Sequence, residues 1–335
     1  MRAFIGVIAI VVVGLGLSAC SNFKPAPNAK ANAPLKQELV HKLASIGSSP
    51  GAPMMVRIFK QTNELEVWKQ AGGTFKLVKT YEICAWSGGL GPKVVEGDRQ
   101  SPEGFYNITP GLMNPNSNYY LAFNTGFPNK FDRAYGRTGS DLMVHGDCSS
   151  RGCYSMTDES IAEIYALARE TFAGGNASFQ LQIFPFRMTP GNLAMHADDP
   201  NMSFWKDIKE GYDRFELAGQ PASWDVCNKH YVFGVPDGMT LDASGSCPVQ
   251  VAQGVPASVV AKMAADDAAM AKEVAAIADR KAKAAADAKA AADAEAAAKA
   301  RGQAIGSFIG GLFGDDGTID PSKVPPIPAP PIHRV

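Results

Sequence analysis

Apolar positions between residues 54 and 82 fall in three short runs, 54–60, 64–69 and 75–82. The runs are rich in β-branched and aromatic residues, and turn residues fill the breaks at 61–63 and 70–73, so the pattern predicts three strands. Two more apolar stretches, 119–123 and 141–145, predict further strands; in the second, Leu142 and Val144 share a face. Residues 179–186 alternate apolar and polar for most of their length and are expected to close the sheet. Between 160 and 169 the period changes: Ile161, Ile164, Tyr165 and Ala168 recur at helical spacing. Residues 35–43 predict one short helix. The stretch 87–104 carries five glycines and reads as loop, as does the Gly- and Asn-rich stretch 124–139. Connections of such length inside compact domains are more often functional than not.

Outside this region the patterning changes. Residues 3–17 form an apolar run behind Met1-Arg2, too short for a spanning helix. It ends in Leu17-Ser18-Ala19-Cys20, which resembles a bacterial lipobox and predicts cleavage before Cys20 and acylation of its thiol. Residues 21–53, rich in Ala, Pro, Asn, Lys and Ser, read as a flexible tether. Residues 189–255 look irregular. Residues 257–301 are Ala-rich with interspersed Lys, Asp and Glu, and no proline follows Pro256 until the tail. Ala is the best helix former, and acid-first pairs such as Asp279 with Lys283 add support. The helix expected there is roughly 65–70 Å long at about 1.5 Å per residue, stopped by Gly302 and too poor in large apolar residues to bury much. Gly302, Gly306, Gly310 and Gly314 then recur every four residues, and a Pro-rich end should be extended. The chain divides into a signal segment 1–19, a tether 20–53, a β-rich domain 54–188, an elaboration 189–255 packed on it, a helix 256–302 and a Gly/Pro-rich tail 303–335.

A net charge of −1 implies neither a nucleic acid nor an acidic partner. His196 and His230 lack ligand-like neighbours, so no metal or other cofactor is expected. The stretch 143–158 holds the candidate chemistry: His145, a polar Gly-rich turn, and Cys153 beside Gly152. A thiolate is the nucleophile and a free thiol is mostly protonated at neutral pH, so an imidazole that takes the proton supplies what is missing. The loop between His145 and Cys153 can fold back to join them. Gly152 permits a tight turn beside the nucleophile, where the N–H groups of Gly152 and Cys153 can face a developing oxyanion.

His145-Gly146 followed by Ser150-Arg151-Gly152-Cys153 resembles the signature of the L,D-transpeptidases, the YkuD-type family, whose nucleophile follows a Ser-His-Gly pattern. Upstream, Gly97-Asp98-Arg99-Gln100-Ser101-Pro102-Glu103-Gly104-Phe105-Tyr106 resembles the family's Gly-Asp and Ser/Thr-Pro-x-Gly segment. Trp86 to Gly91 with Pro92-Lys93, Asn114-Pro115-Asn116-Ser117, and Phe123-Asn124 with Pro128-Asn129 resemble the YafK branch. The resemblance runs from about Met54 to Met188. It implies a mostly β catalytic domain, a β-sandwich with short helices, to which the long Ala-rich helix is appended. Two positions depart from the wider family: Arg151 stands where most members have His, and Ser155 where an Arg is usual. The base role therefore falls on His145 alone, and Ser150 and Arg151 are expected to meet substrate.

The function so implied is peptidoglycan remodelling: Cys153 attacks a peptide-stem carbonyl, and the acyl-enzyme passes to an amine, giving a 3→3 crosslink or a protein attachment. With water as acceptor the same site is an amidase that releases a peptidoglycan-linked lipoprotein. A third reading is a non-catalytic envelope tether. The partners expected are peptide stems, a membrane reached through the lipid on Cys20, and an envelope protein met by the Ala-rich helix. The location expected is the periplasm, with Ser21 after the lipobox favouring the outer membrane. With Cys153 free, Cys84, Cys148, Cys227 and Cys247 allow three pairings. The local pair Cys227 with Cys247 is preferred, leaving Cys84 with Cys148; the rival is a redox pair of Cys148 and Cys153.

Overall fold

The computed structural model describes residues 28–252, 254–313 and 317–325. The lipobox and Cys20 lie outside the described residues, as does the end of the Pro-rich tail. In chain order the elements are α1 (Gln37–Ser45), β1 (Met54–Phe59), β2 (Glu64–Ala71), β3 (Thr74–Glu82), β4 (Gly104–Ile108), β5 (Met113–Asn114), β6 (Ala122–Asn124), α2 (Lys130–Ala134), β7 (Met143–His145), β8 (Tyr154–Ser155), α3 (Asp158–Ala173), β9 (Phe179–Phe184), α4 (Pro190–Met195), α5 (Met202–Ala218), β10 (Trp224–Cys227), β11 (His230–Phe233), α6 (Val249–Ala252) and α7 (Ala257–Leu312). Contacts divide the chain into two units. One runs to Phe186 and resumes at Phe204–Val255; the other is Arg187–Ser203 with the chain from Pro256 onward.

The first unit is mostly β with short helices. Its main sheet has the order β3-β2-β1-β9-β4, and a small sheet the order β5-β6-β7-β8. The run at 179–186 does not close the sheet as expected: β9 lies inside it, parallel to β1 and antiparallel to β4. β4 is the edge, and no pattern longer than five residues announced it. Every residue of β1 is buried because both of its faces are covered. Met54, Val56 and Ile58 share a core with Phe123, Val144 and Tyr154 of the small sheet and with Ile161, Ile164 and Leu167 of α3. On the other face Met55 packs with Phe215 of α5. Arg57 lies there too, its guanidinium 4.4 Å from the Tyr212 ring centroid and 2.7 Å from Glu216.

Helix α5 corrects the reading of 189–255 as irregular. Phe204, Trp205, Ile208, Tyr212 and Phe215 sit at helical spacing and are buried. Gly211 lies among them because the helix approaches closely there: a Cβ would stand 2.4 Å from Phe233 and 2.5 Å from Phe105. The flexible tether is also corrected for its described part. Leu39 and Leu43 of α1 are buried in the main core, each worth about 1.5–3 kcal/mol. Lys36 reaches Glu163 of α3 at 2.9 Å, and Arg169 donates to the carbonyls of Ala31 and Ala33 at 2.7 and 2.8 Å. The four-residue leucine spacing from Leu35 outweighs the loop-like composition around it.

In the second unit α7 runs through Gly302 to Leu312, eleven residues beyond Arg301, so the glycine is not the stop expected. The helix continues although each glycine in this stretch costs roughly 1 kcal/mol relative to Ala, and Ile305, Phe308 and Ile309 lie exposed on it. Only Val259 of its 56 residues is buried. No helix among the described residues is long and apolar enough to cross a membrane.

Candidate active site

The site forms at the edge of the small sheet. Parallel pairing sets Val144 beside Tyr154 and His145 beside Ser155. Val144 and Tyr154 face the core, so His145 takes the opposite side. Cys153 directly precedes β8 and continues the register next to Met143, whose N–H donates to Sγ at 3.4 Å. Met143 and His145 are two apart on one strand and therefore point the same way. The thiol and the imidazole are thus diagonal neighbours on one face. They are not hydrogen-bonded to each other in this state: the thiol donates to the Asp141 carbonyl at 3.6 Å.

His145 is held in one tautomer. Its Nδ1 lies 2.5 Å from the Gly146 carbonyl. A carbonyl only accepts, so Nδ1 carries the proton and Nε2 of the neutral ring is the basic nitrogen. The ring is buried against Tyr119, with centroids 4.7 Å apart. Burial lowers the His145 pKa below its ordinary value, against the smaller upward pulls of the Gly146 carbonyl and Asp147. Burial likewise raises the Cys153 pKa, opposed by the Met143 N–H. The resting pair is therefore thiol and neutral imidazole, not a preformed ion pair.

The wall beside Cys153 is the long loop after β3, pinned at several points by buried hydrogen bonds. Fully buried Lys60 bonds Glu103 at 2.9 Å and the carbonyls of Gly91 and Ser101 at 3.0 and 3.1 Å. Glu103 accepts in turn from Gly91 N–H at 2.7 Å and from Trp205 Nε1 at 2.9 Å. A buried pair with all these partners is satisfied, and what it secures is loop conformation. Ser101 carries that order to the nucleophile: its hydroxyl donates to the Cys153 carbonyl at 3.2 Å. None of Lys60, Glu103, Ser101 or Trp205 was singled out from the sequence for this part. Only the Ser-Pro-x-Gly segment around Ser101 hinted at it.

The remaining expected residues fall as follows. Ser150 donates its hydroxyl to the Cys153 carbonyl at 2.7 Å, so it braces the nucleophile's backbone. Arg151 is exposed on the loop. Gly152 is left-handed, with φ +121°, and a Cβ there would stand 3.2 Å from Leu142. Its N–H donates to Ser150 Oγ at 3.3 Å, whereas that of Cys153 is engaged by no side chain or loop carbonyl among the described residues. Ser155 is buried, its hydroxyl on the Ala85 carbonyl at 2.8 Å. Cys84 is bridged to Cys148 and Cys227 to Cys247, which leaves Cys153 as the free thiol among the described residues. Cys148 is thus joined to Cys84 and not to Cys153. No group of three or more His, Cys, Asp or Glu side chains among the described residues is arranged to hold a metal.

Residues 55–175 match the YkuD family, the L,D-transpeptidase catalytic domain. This fold and this Cys–His pair belong to a chain of the L,D-transpeptidase family. Over 186 residues it is 44% identical to YafK of Escherichia coli (strain K12), a protein provisionally named as an L,D-transpeptidase, covering 56% of this chain and 76% of that one. YafK of Escherichia coli O157:H7 matches to the same extent. Among solved structures, the helical cell shape determining protein Pgp2 from Campylobacter jejuni aligns with a TM-score of 0.33 at 17% identity, over 60% of this chain and 85% of that chain. Bdellovibrio bacteriovorus Bd1075 aligns with a TM-score of 0.28 at 20% identity, over 42% of this chain and 51% of that chain.

Proposed function

We propose that this chain is a peptidoglycan-remodelling cysteine L,D-transpeptidase that works through an acyl-enzyme on Cys153. The observation that carries the reading is the free Cys153 thiol on the same strand face as an imidazole whose Nδ1 is fixed as donor. Nε2 of His145 accepts the thiol proton as Sγ turns from the Asp141 carbonyl and attacks the carbonyl of a stem residue. Oxyanion charge is met by the Cys153 N–H, and by that of Gly152 once it leaves Ser150. The imidazolium then protonates the leaving amine, and an incoming amine breaks the thioester. The family membership supports peptide stems as the substrate class. Export, acylation at Cys20 and a periplasmic, outer-membrane location belong to the same proposal and rest on the lipobox sequence.

Purified protein incubated with isolated sacculi, followed by digestion and mass spectrometry of the fragments, tests the reaction. New 3→3 crosslinks or new protein–stem linkages are the expected result. Loss of existing protein–stem links without new crosslinks identifies an amidase that uses water. Sacculi left unchanged reduce the chain to an envelope tether and overturn the catalytic reading.

A further inference from the structure

Of the arginines from residue 99 to residue 151, Arg133 at the end of α2 and Arg137 just after it are engaged. The Arg133 guanidinium donates to the Pro128 carbonyl. Arg137 donates to buried Asp132 at 2.8 Å and lies over the Phe131 ring. Arg99 and Arg151 remain. Both are exposed, and neither guanidinium makes a hydrogen bond or ion pair among the described residues.

Arg99 is presented by a loop that is otherwise turned in on itself. On one side, Asp98 pairs with Lys93 and accepts the N–H groups of Val94, Val95 and Gln100 at 2.9, 3.0 and 2.9 Å. Partial burial works against the charge of Asp98, yet these partners hold its pKa at about 2. On the other side, the Gln100 amide bonds Gly89 N–H at 2.9 Å and the carbonyls of Gly89 and Gly91 at 2.7 and 2.6 Å. Arg99 itself is left-handed, with φ +55°, and its carbonyl accepts the Ser87 hydroxyl at 2.6 Å. Non-glycine residues are kept in that region only where the surroundings over-determine them. Here the surroundings consume both neighbours' side chains and leave one long cation over.

The backbone of Arg99 lies against the nucleophile's loop. A Cβ built on Gly152 would reach Gln100 O at 3.8 Å and the Arg99 carbonyl carbon at 4.0 Å. Arg151 is the residue before Gly152. Arg99 and Arg151 therefore stand on two stretches of backbone that meet at Gly152, one from each loop beside Cys153. The acidic groups nearby are Asp141, which raises the Cys153 pKa, and Asp147 and Asp158 beyond His145. None of the three is paired with either arginine.

We propose that Arg99 and Arg151 together hold a free carboxylate of the acyl donor beside Cys153. A guanidinium fork matches a carboxylate in two parallel hydrogen bonds, and two forks on adjoining loops would fix the donor's register before attack. This rests on the acyl-transfer reading of the site, so the test carries one arm that does not need it.

In that arm Cys153 of the full chain is alkylated by iodoacetate, which bears a carboxylate, and by neutral iodoacetamide. In both reactions Sγ displaces iodide and forms a C–S bond. The ratio of the two rates should fall about tenfold in Arg99→Gln/Arg151→Gln, the size expected of one charged hydrogen bond, and Arg99→Lys should keep much of it. In the other arm a synthetic stem peptide is supplied with its carboxylate free or amidated. Arg99→Gln should raise KM for the free acid about tenfold, leave kcat nearly unchanged and have no effect on the amide. An unchanged alkylation ratio, or an equal KM rise on both peptides, overturns the proposal. If wild type turns over neither peptide, acyl transfer itself fails and the alkylation ratio still decides for the arginines.

Discussion

Cys153→Ala is expected to abolish acylation and leave the fold intact. Cys153 is the free thiol among the described residues, and the hydroxyl of Ser155, two residues on along the same face, is committed to the Ala85 carbonyl. The structural contacts of the thiol are slight: one N–H from Met143 and one carbonyl of Asp141. Ala keeps the backbone carbonyl that Ser101 and Ser150 grip, since that grip is made to Cys153 O and not to Sγ. The loss of stability should therefore stay within about 1 kcal/mol. A carbapenem offers a strained amide for the same attack. Intact-protein mass spectrometry should show one adduct on wild type, mapped to Cys153, and none on the variant. An adduct mapped to any other cysteine would sink the assignment.

His145→Gln should lower the acylation rate by on the order of 10²–10⁴-fold at neutral pH, the contribution of a positioned acid–base group. Arg151, in the place where the wider family has a second His, stays protonated and cannot accept the thiol proton. The pH profile separates the roles. In wild type the rate needs neutral His145, so it falls as pH drops through a His pKa lying below 6.5. Above that the rate should be flat, because the base is already free. In the variant only thiol that ionises unaided can react. Its pKa is raised, so the variant's rate should climb about tenfold per pH unit up to pH 9. The two curves converge toward high pH. A variant that matches wild type from pH 5 to 9 would show that His145 is not the base.

Much of this was legible in the sequence. β1, β2 and β3 were plain because their apolar residues lie between clear turn signals. His145 and Cys153 were singled out by residue type, but their spacing alone did not carry the chemistry; the resemblance of the motifs around them did. Disulfide partners and the wall of the site were not fixed by pattern. Lys60 and Glu103 are charged residues that look like surface until the fold buries both. Arg99 gave no signal at all, since its meaning comes from Asp98 and Gln100 turning inward on either side. Helix α5 could have been found from Phe204, Trp205, Ile208, Tyr212 and Phe215, but Gly211 and the Pro- and Asn-rich flanks obscured it. β4 was too short to announce itself and exists because β9 offers it an edge.

Helix α7 has a consequence for how the molecule's melting would look. It supplies about half of the helical residues among those described, and nearly all of it is exposed. All four tryptophans, Trp68, Trp86, Trp205 and Trp224, belong to the other unit. On heating, ellipticity at 222 nm should decline gradually, as a solvated helix frays, while indole fluorescence changes in one steep step at higher temperature. Two probes that disagree are ordinarily taken as a sign of a folding intermediate. Here they would be recording two different bodies, and fluorescence alone would give the stability of the one that holds the cysteine.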